Sequence, residues 1–201
     1  MEITVRQAGK QDRDAVIEAF SLACPDEAVT AWVLEGHPFE QFGPLYVPEM
    51  IDRALRDDEI WLAGADSDIW AVSIWQHVDS VDRFASDLHA ARAAADGAPD
   101  VRPLQRMTVV TDLLAHTHPH ELPHRYLQVI VTVPEHRGKG AGAAILANQT
   151  KAASSAGVPA YLEASTDRSA RLYTRMGFAQ TGTTHDLPEG GPTLRPMWFR
   201  G

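Results

Sequence analysis

The chain has 201 residues, of which 44% are hydrophobic and 22% charged. That length provides one domain whose core can bury about 70% of the unfolded surface, and the composition excludes a disordered chain. Its net charge of −9 repels nucleic acid and anionic lipid unless a basic patch is focused somewhere.

Residues 3–6 read as a first strand. Ala15, Val16, Ala19, Phe20 and Ala23 then recur at helical spacing, up to Pro25. Residues 26–58 read as broken helical pieces, punctuated by Gly36, Pro38, Gly43, Pro44 and Pro48. Residues 60–63 and 69–75 read as strands joined by a turn over 64–68. Helices are expected over 82–96 and 103–114, followed by a loop rich in His and Pro over 116–124. Residues 126–133 form a β-branched run, apolar on both faces and ended by Pro134, which makes a central strand. A loop over 134–142, a helix over 143–156, a short strand over 160–163 and a helix over 167–176 follow. Residues 178–184 and 193–199 would be closing strands around a turn at 188–192. This order predicts one α/β domain spanning residues 1–201, built on a mixed sheet.

One cysteine, Cys24, permits no internal disulfide and fits a reducing cytoplasm. The N-terminal segment has no apolar signal core, and no apolar run reaches the roughly 18 residues of a membrane helix. A soluble, cytoplasmic protein is therefore expected.

Arg137-Gly138-Lys139-Gly140-Ala141-Gly142 lies between the central strand and a helix. Glycines let backbone approach a ligand and adopt positive φ, while the helix N-terminus adds about half a positive charge. Arg137 and Lys139 raise the potential further. The physics reads as a pyrophosphate cradle, although a flexible turn would carry the same glycines. No Walker spacing exists, and the position and spacing of these glycines do not suit a dinucleotide-binding loop.

The loop resembles the acyl-CoA loop of the GCN5-related N-acetyltransferases (GNAT), Arg/Gln-x-x-Gly-x-Gly/Ala after a strand ending in Val-x-Pro. Arg137, Gly140 and Gly142 fill it after Val131-Thr132-Val133-Pro134. Leu172-Tyr173-Thr174-Arg175-Met176-Gly177-Phe178 resembles that family's Leu-Tyr-x-x-x-Gly-Phe, in the right order and at the right distance. Within the family, Tyr161–Ser165, Leu187-Pro188-Glu189-Gly190 and the segment from His118 to Leu127 are similar to the puromycin N-acetyltransferase branch. The resemblance implies a twisted sheet of about seven strands, with a V-shaped gap between 126–133 and 160–163. It implies acetyl-CoA as co-substrate, with main-chain groups of Val131 and Val133 bonding the pantetheine arm as an added strand. Gly138, Lys139, Gly140, Ala141 and Gly142 would hold the pyrophosphate. Thr166 stands where the family often has a cofactor-contacting Asn, which keeps the helix cap but loses the amide contact.

The implied reaction is attack of a neutral amine on a thioester. A lysine-like amine, with pKa about 10.4, needs roughly 4.6 kcal/mol to deprotonate at pH 7, and an α-amine about 1. Tyr173 is the candidate acid for the departing thiolate, or a tyrosine that only packs its helix. Glu163 is the candidate base, directly or through water, or a structural carboxylate. His124 is a rival base. His116, His118 and His120 alternate, but Pro119 and Pro123 argue for a loop, so no metal is expected. Cys24 near His37 lacks the third group of a nucleophilic site. Aromatic residues between 30 and 50 would line an apolar acceptor pocket.

The expected activity is transfer of acetyl to a primary amine of a small molecule, with antibiotic detoxification or self-resistance as the suggested role. The alternatives are a protein lysine or N-terminal acetyltransferase and a non-catalytic acyl-CoA sensor. Neither nucleic acid nor membrane is an expected partner, and a homodimer is among the open oligomeric states.

Overall fold

Apolar stripes of helical and strand period alternate along the chain, and a computed structural model, which describes residues 2–201, shows how they pair. The elements are β1 (Thr4–Gln7), α1 (Arg13–Ala23), α2 (Ala28–Val33), α3 (Phe39–Asp57), β2 (Glu59–Ala65), β3 (Asp68–Val78), α4 (Asp82–Gly97) and α5 (Arg102–Thr117). They continue with β4 (His124–Thr132), α6 (Ala141–Ala156), β5 (Ala160–Ala164), α7 (Asp167–Arg175), β6 (Ala179–Gln180), β7 (His185–Asp186) and β8 (Thr193–Phe199). The strands lie in the order β1-β2-β3-β4-β5-β8-β6, with β7 beside β8. Every pair is antiparallel except β4 with β5. This is the mixed α/β sheet the sequence predicts.

Period-two alternation divides the core between the two faces of the sheet. On one face Val16 and Phe20 of α1 and Val47 and Ile51 of α3 pack against Leu62, Val72, Ile74 and Val131. On the other, Leu146 of α6 and Tyr173 of α7 pack against Leu127, Leu162 and Met197. Each fully buried Leu, Ile or Phe side chain contributes about 1.5–3 kcal/mol relative to exposure.

Three expectations change. Residues 39–57 are one helix of 19 residues with Pro44 and Pro48 inside it, not broken pieces. Each proline removes one i→i−4 bond, but Val47, Ile51 and Ala54 on the inner stripe are buried, and that packing holds the helix through both breaks. The expected strand over 178–184 shortens to β6, with β7 separate, and the Thr-Gly-Thr-Thr stretch between them stays outside the ladder. The His/Pro loop is shorter than expected, because α5 runs through His116 to Thr117 and β4 already starts at His124.

Candidate active site

Only two rungs join β4 to β5, Arg125 opposite Ala160 and Tyr126 opposite Tyr161. Beyond them the strands part. The ladder between β3 and β4 shifts where Ile74–Val129 gives way to Trp75–Leu127, so Gln128 is an extra residue on β4 at the mouth of the gap. A bulge of this kind bends its strand and strengthens the local twist. The gap opens into a cavity of about 720 Å³ covered by α2, α3, α4 and α5. Residues 127–130 of β4, Leu162 and Glu163 of β5 and Tyr173 of α7 line its floor.

The phase of β4 decides which main-chain groups face this gap. The Val133 amide donates to the Trp70 carbonyl of β3 at 2.9 Å. Antiparallel alternation then turns Val131 toward β3 as well, opposite Val72. Their backbone groups are spent within the sheet, contrary to the expected pantetheine contacts. Ile130 and Thr132, one residue out of phase, present their N–H and C=O to the gap. Both faces of this strand are apolar, so side-chain pattern alone could not fix that phase.

The glycine loop leads from β4 into α6. Gly140, the residue that starts α6, has φ +94°, a left-handed conformation that disfavours any side chain. No side chain caps this helix, and its first internal bond is from the Ala144 amide to the Gly140 carbonyl. The amides of Ala141, Gly142 and Ala143 therefore stand free at the positive end of the dipole, as anion binding requires. Gly142 has no side chain beside Thr132, where a Cβ would lie 3.6 Å from the hydroxyl. The cations are arranged differently from expectation. Arg137 is paired with Asp26 at 2.7 Å and also donates to the Thr132 carbonyl. The Lys139 ammonium sits 5.4 Å over the Trp70 ring and 3.2 Å from His136 Nδ1. Thr166 caps α7 by accepting from the Ser169 amide, and it lines the cavity.

Tyr173 and Glu163 meet at the cavity; His124 does not. The Tyr173 ring is buried, and its hydroxyl has no hydrogen-bond partner among the described residues. Burial, reinforced by nearby Glu27, pushes its phenol up, so it keeps its proton at neutral pH. Glu163 Oε1 is buried without a partner. Burial pushes this carboxyl up to about 7, against the opposing pull of the Tyr161 and Tyr126 phenols. His124 is fully buried, with Nδ1 2.7 Å from the Glu121 carbonyl and Nε2 2.9 Å from His118 Nε2. Burial lowers both imidazoles, so the pair is neutral and part of an aromatic cluster with Tyr126, Tyr161 and Trp198. A base whose ring nitrogens are both engaged away from the cavity has no route to a substrate proton.

Glu27 was not singled out by sequence reasoning. Its carboxylate caps α2 through the Thr30 amide at 2.9 Å and accepts from Ser165 Oγ at 3.0 Å, joining the cavity roof to the end of β5. Its only sequence signal is an acidic residue three positions before Thr30 at a helix start. Cys24 also lines the cavity, but burial pushes its thiol up to about 11, which makes it a poor nucleophile. His116 is exposed on α5 while His118 is buried, and no group of three metal-ligating side chains exists among the described residues.

Residues 109–178 match the Acetyltransferase (GNAT) family. Solved structures share the fold over nearly the whole chain. One is described as histone acetyltransferase HPA2 and related acetyltransferase from Corynebacterium glutamicum, with 22% identity, TM-score 0.67, and 98% and 96% of the two chains covered. An agmatine N-acetyltransferase aligns at 15% identity, TM-score 0.72, with both chains fully covered. Arylalkylamine N-acetyltransferase 2 from Aedes aegypti aligns at 15% identity and TM-score 0.70, over 98% of each chain. The mixed sheet with its splayed strands therefore has the GNAT fold, and the glycine loop and Tyr173 lie inside the segment that matches the family.

Proposed function

We propose that the protein acetylates the primary amine of a small molecule with an apolar or aromatic body. The observation that carries this reading is the convergence of Glu163, Glu27 and Tyr173 on one cavity of about 720 Å³ at the splay of β4 and β5. Its other charges are largely cancelled internally: Arg83 holds Asp58, Arg53 holds Asp87 and Arg137 holds Asp26. Glu27, Glu49 and Glu163 form no ion pair among the described residues, so the cavity attracts a cation. Phe39, Phe42, Met50, Phe84 and Met107 give it apolar walls.

Acetyl-CoA supplies the thioester. Free amides at the start of α6 suit its pyrophosphate, and the outward N–H and C=O of Ile130 and the N–H of Thr132, whose carbonyl accepts from Arg137, suit its pantetheine amides. The Glu163 carboxylate takes the ammonium proton, directly or through one water. The neutral amine then attacks the carbonyl carbon, the C–S bond breaks as the Tyr173 hydroxyl passes its proton to the departing sulfur, and the second proton on the acylated nitrogen restores the Tyr173 hydroxyl through water, leaving a neutral amide and free thiol. An acid–base pair in one cavity needs one group kept neutral and another near pH 7, and burial shifts both groups that way. Glu27 holds the ammonium electrostatically beside Tyr173.

The structural neighbours are named for agmatine and arylalkylamines as well as for histone acetylation, so fold alone does not select the acceptor. The three uncompensated carboxylates and aromatic walls favour a small amine. Resemblance to the puromycin-acetylating branch adds aminoacyl nucleosides to the class, with detoxification in the cytoplasm as the proposed role. The test is kcat/KM at pH 7–9 on arylalkylamines, agmatine, aromatic amino-acid amides and aminoacyl nucleosides, against lysine peptides. Faster turnover of lysine peptides than of every small amine would overturn the proposal. Acetyl-CoA binding with no turnover of any amine would leave an acyl-CoA sensor.

A further inference from the structure

The chain has 15 arginines, and 12 of them hold a carboxylate within ion-pair distance. The three that hold none among the described residues are Arg168, Arg171 and Arg175, and all lie on α7. Their spacing of i, i+3 and i+7 puts them on one stripe of a helix only nine residues long. Only Arg175, in the last turn, is placed as the helix dipole favours. Like charges three and four residues apart repel, and Arg168 sits in the first turn, where the helix dipole is positive. The acidic residues that neutralise every other arginine are withheld here, in a protein of net charge −9. Local conflicts of this kind collect at binding sites.

The stripe borders a second depression, an open groove of about 510 Å³ between α7 and the β8–β6 edge. Arg171, Arg175 and Arg195 line it, with Thr174, Gln180, Ala170 and Asp167. Asp167, its one carboxylate, is neutralised by Arg195 at 2.8 Å, and Arg195 also donates to the Thr193 carbonyl. No aromatic side chain lines the groove and its one apolar residue is Ala170, so it has nothing with which to hold an organic body. What it can recognise is the anion itself. Arg171 and Arg175 stand one turn apart, about 6 Å along the axis, and two guanidinium forks at that spacing suit the oxygens of a phosphate or diphosphate. The groove is not part of the glycine-loop site. β8 is the second strand over from β4, about 10 Å across the sheet.

We infer that this groove binds a phosphate-bearing small molecule through Arg171, Arg175 and Arg195, independently of the cofactor site. The probes are inorganic phosphate and pyrophosphate, titrated by calorimetry into the full chain saturated with CoA. Saturable 1:1 binding is expected, with pyrophosphate the tighter. Arg171→Gln and Arg175→Gln should each weaken it at least tenfold, Arg171→Lys less, and Arg56→Gln on α3 not at all. Should a variant fail to fold, the guanidinium NMR signals of Arg171 and Arg175 in the unsubstituted protein give the same answer, by shifting with phosphate. Absence of saturable binding to the CoA-loaded protein would overturn the inference. So would displacement of phosphate by CoA, full affinity in an Arg171→Gln/Arg175→Gln variant, or equal affinity for a hexaglutamate peptide.

Discussion

Glu163 couples the proposed chemistry to pH with a definite sign. Its carboxyl is raised to about 7 by burial, so below that pH it is neutral and cannot take the amine proton. With a substrate amine near pKa 8, kcat/KM should fall about tenfold per pH unit below 7. Glu163→Gln should lower kcat by roughly 10²–10⁴ and move the acid limb from about 7 to the amine's own pKa near 8, because only the free neutral amine can then react. The same shift has a stability consequence. The folded state favours the protonated carboxyl, so Glu163 increasingly opposes folding as pH rises from about 4.5 to 7. Glu163→Gln should therefore be more stable than the parent at pH 8, by about 2–4 °C in Tm per kcal/mol recovered, and show little gain at pH 4. Equal Tm differences at both pH values would contradict that linkage. Tyr173→Phe removes only a hydroxyl with no partner among the described residues, so folding and CoA affinity should hold while single-turnover acetyl transfer drops by about 10². The sequence already pointed to Tyr173 and Glu163, because each sits in or beside a motif. It could not exclude His124, whose engagement with His118 and Glu121 depends on how the loop before β4 folds back.

Elements were legible where patterning was strong and local. α1, α6 and α7 lie close to their periodic stripes, and Gly177, with φ +89°, ends the α7 segment as the Leu-Tyr-x-x-x-Gly-Phe motif requires. α3 was hidden because Pro44 and Pro48 are local stop signals that only long-range burial of Val47 and Ile51 overrides. The inward turn of Val131 and Val133 was hidden for a different reason: strand phase is set by the partner strand, here through the Trp70 carbonyl. Glu27 was hidden because its partner, Ser165, lies 138 residues away. At the start of α6 a substitution tests the anion site directly. Gly140→Glu adds a side chain at φ +94° and a negative charge before the free amides. Acetyl-CoA affinity should fall at least tenfold, about 1.4 kcal/mol, which calorimetry on the folded fraction would measure. Undiminished affinity would remove this loop from the cofactor site.

At the scale of the molecule, the sheet is two half-sheets, β1-β2-β3-β4 and β5-β8-β6, that meet at two rungs. Five rungs join β5 to β8, and eight join β3 to β4. Mechanical continuity across the middle therefore rests mainly on one apolar cluster, in which Leu127 of β4 and Leu146 of α6, from the first half, meet Leu162 of β5, Tyr173 of α7 and Met197 of β8. The seam should be visible in amide hydrogen exchange. In the free protein Ile130 and Thr132 are interior by sequence but behave as an edge, and their amides should exchange far faster than those of Val131 and Val133 on the same strand. CoA binding should slow exchange at Ile130 and Thr132 specifically. Equal protection of all four amides in the free protein would contradict the assigned strand phase. A ligand that served as the missing strand would also tie the halves together, and the protein with and without CoA should then differ in how many cooperative units it unfolds through.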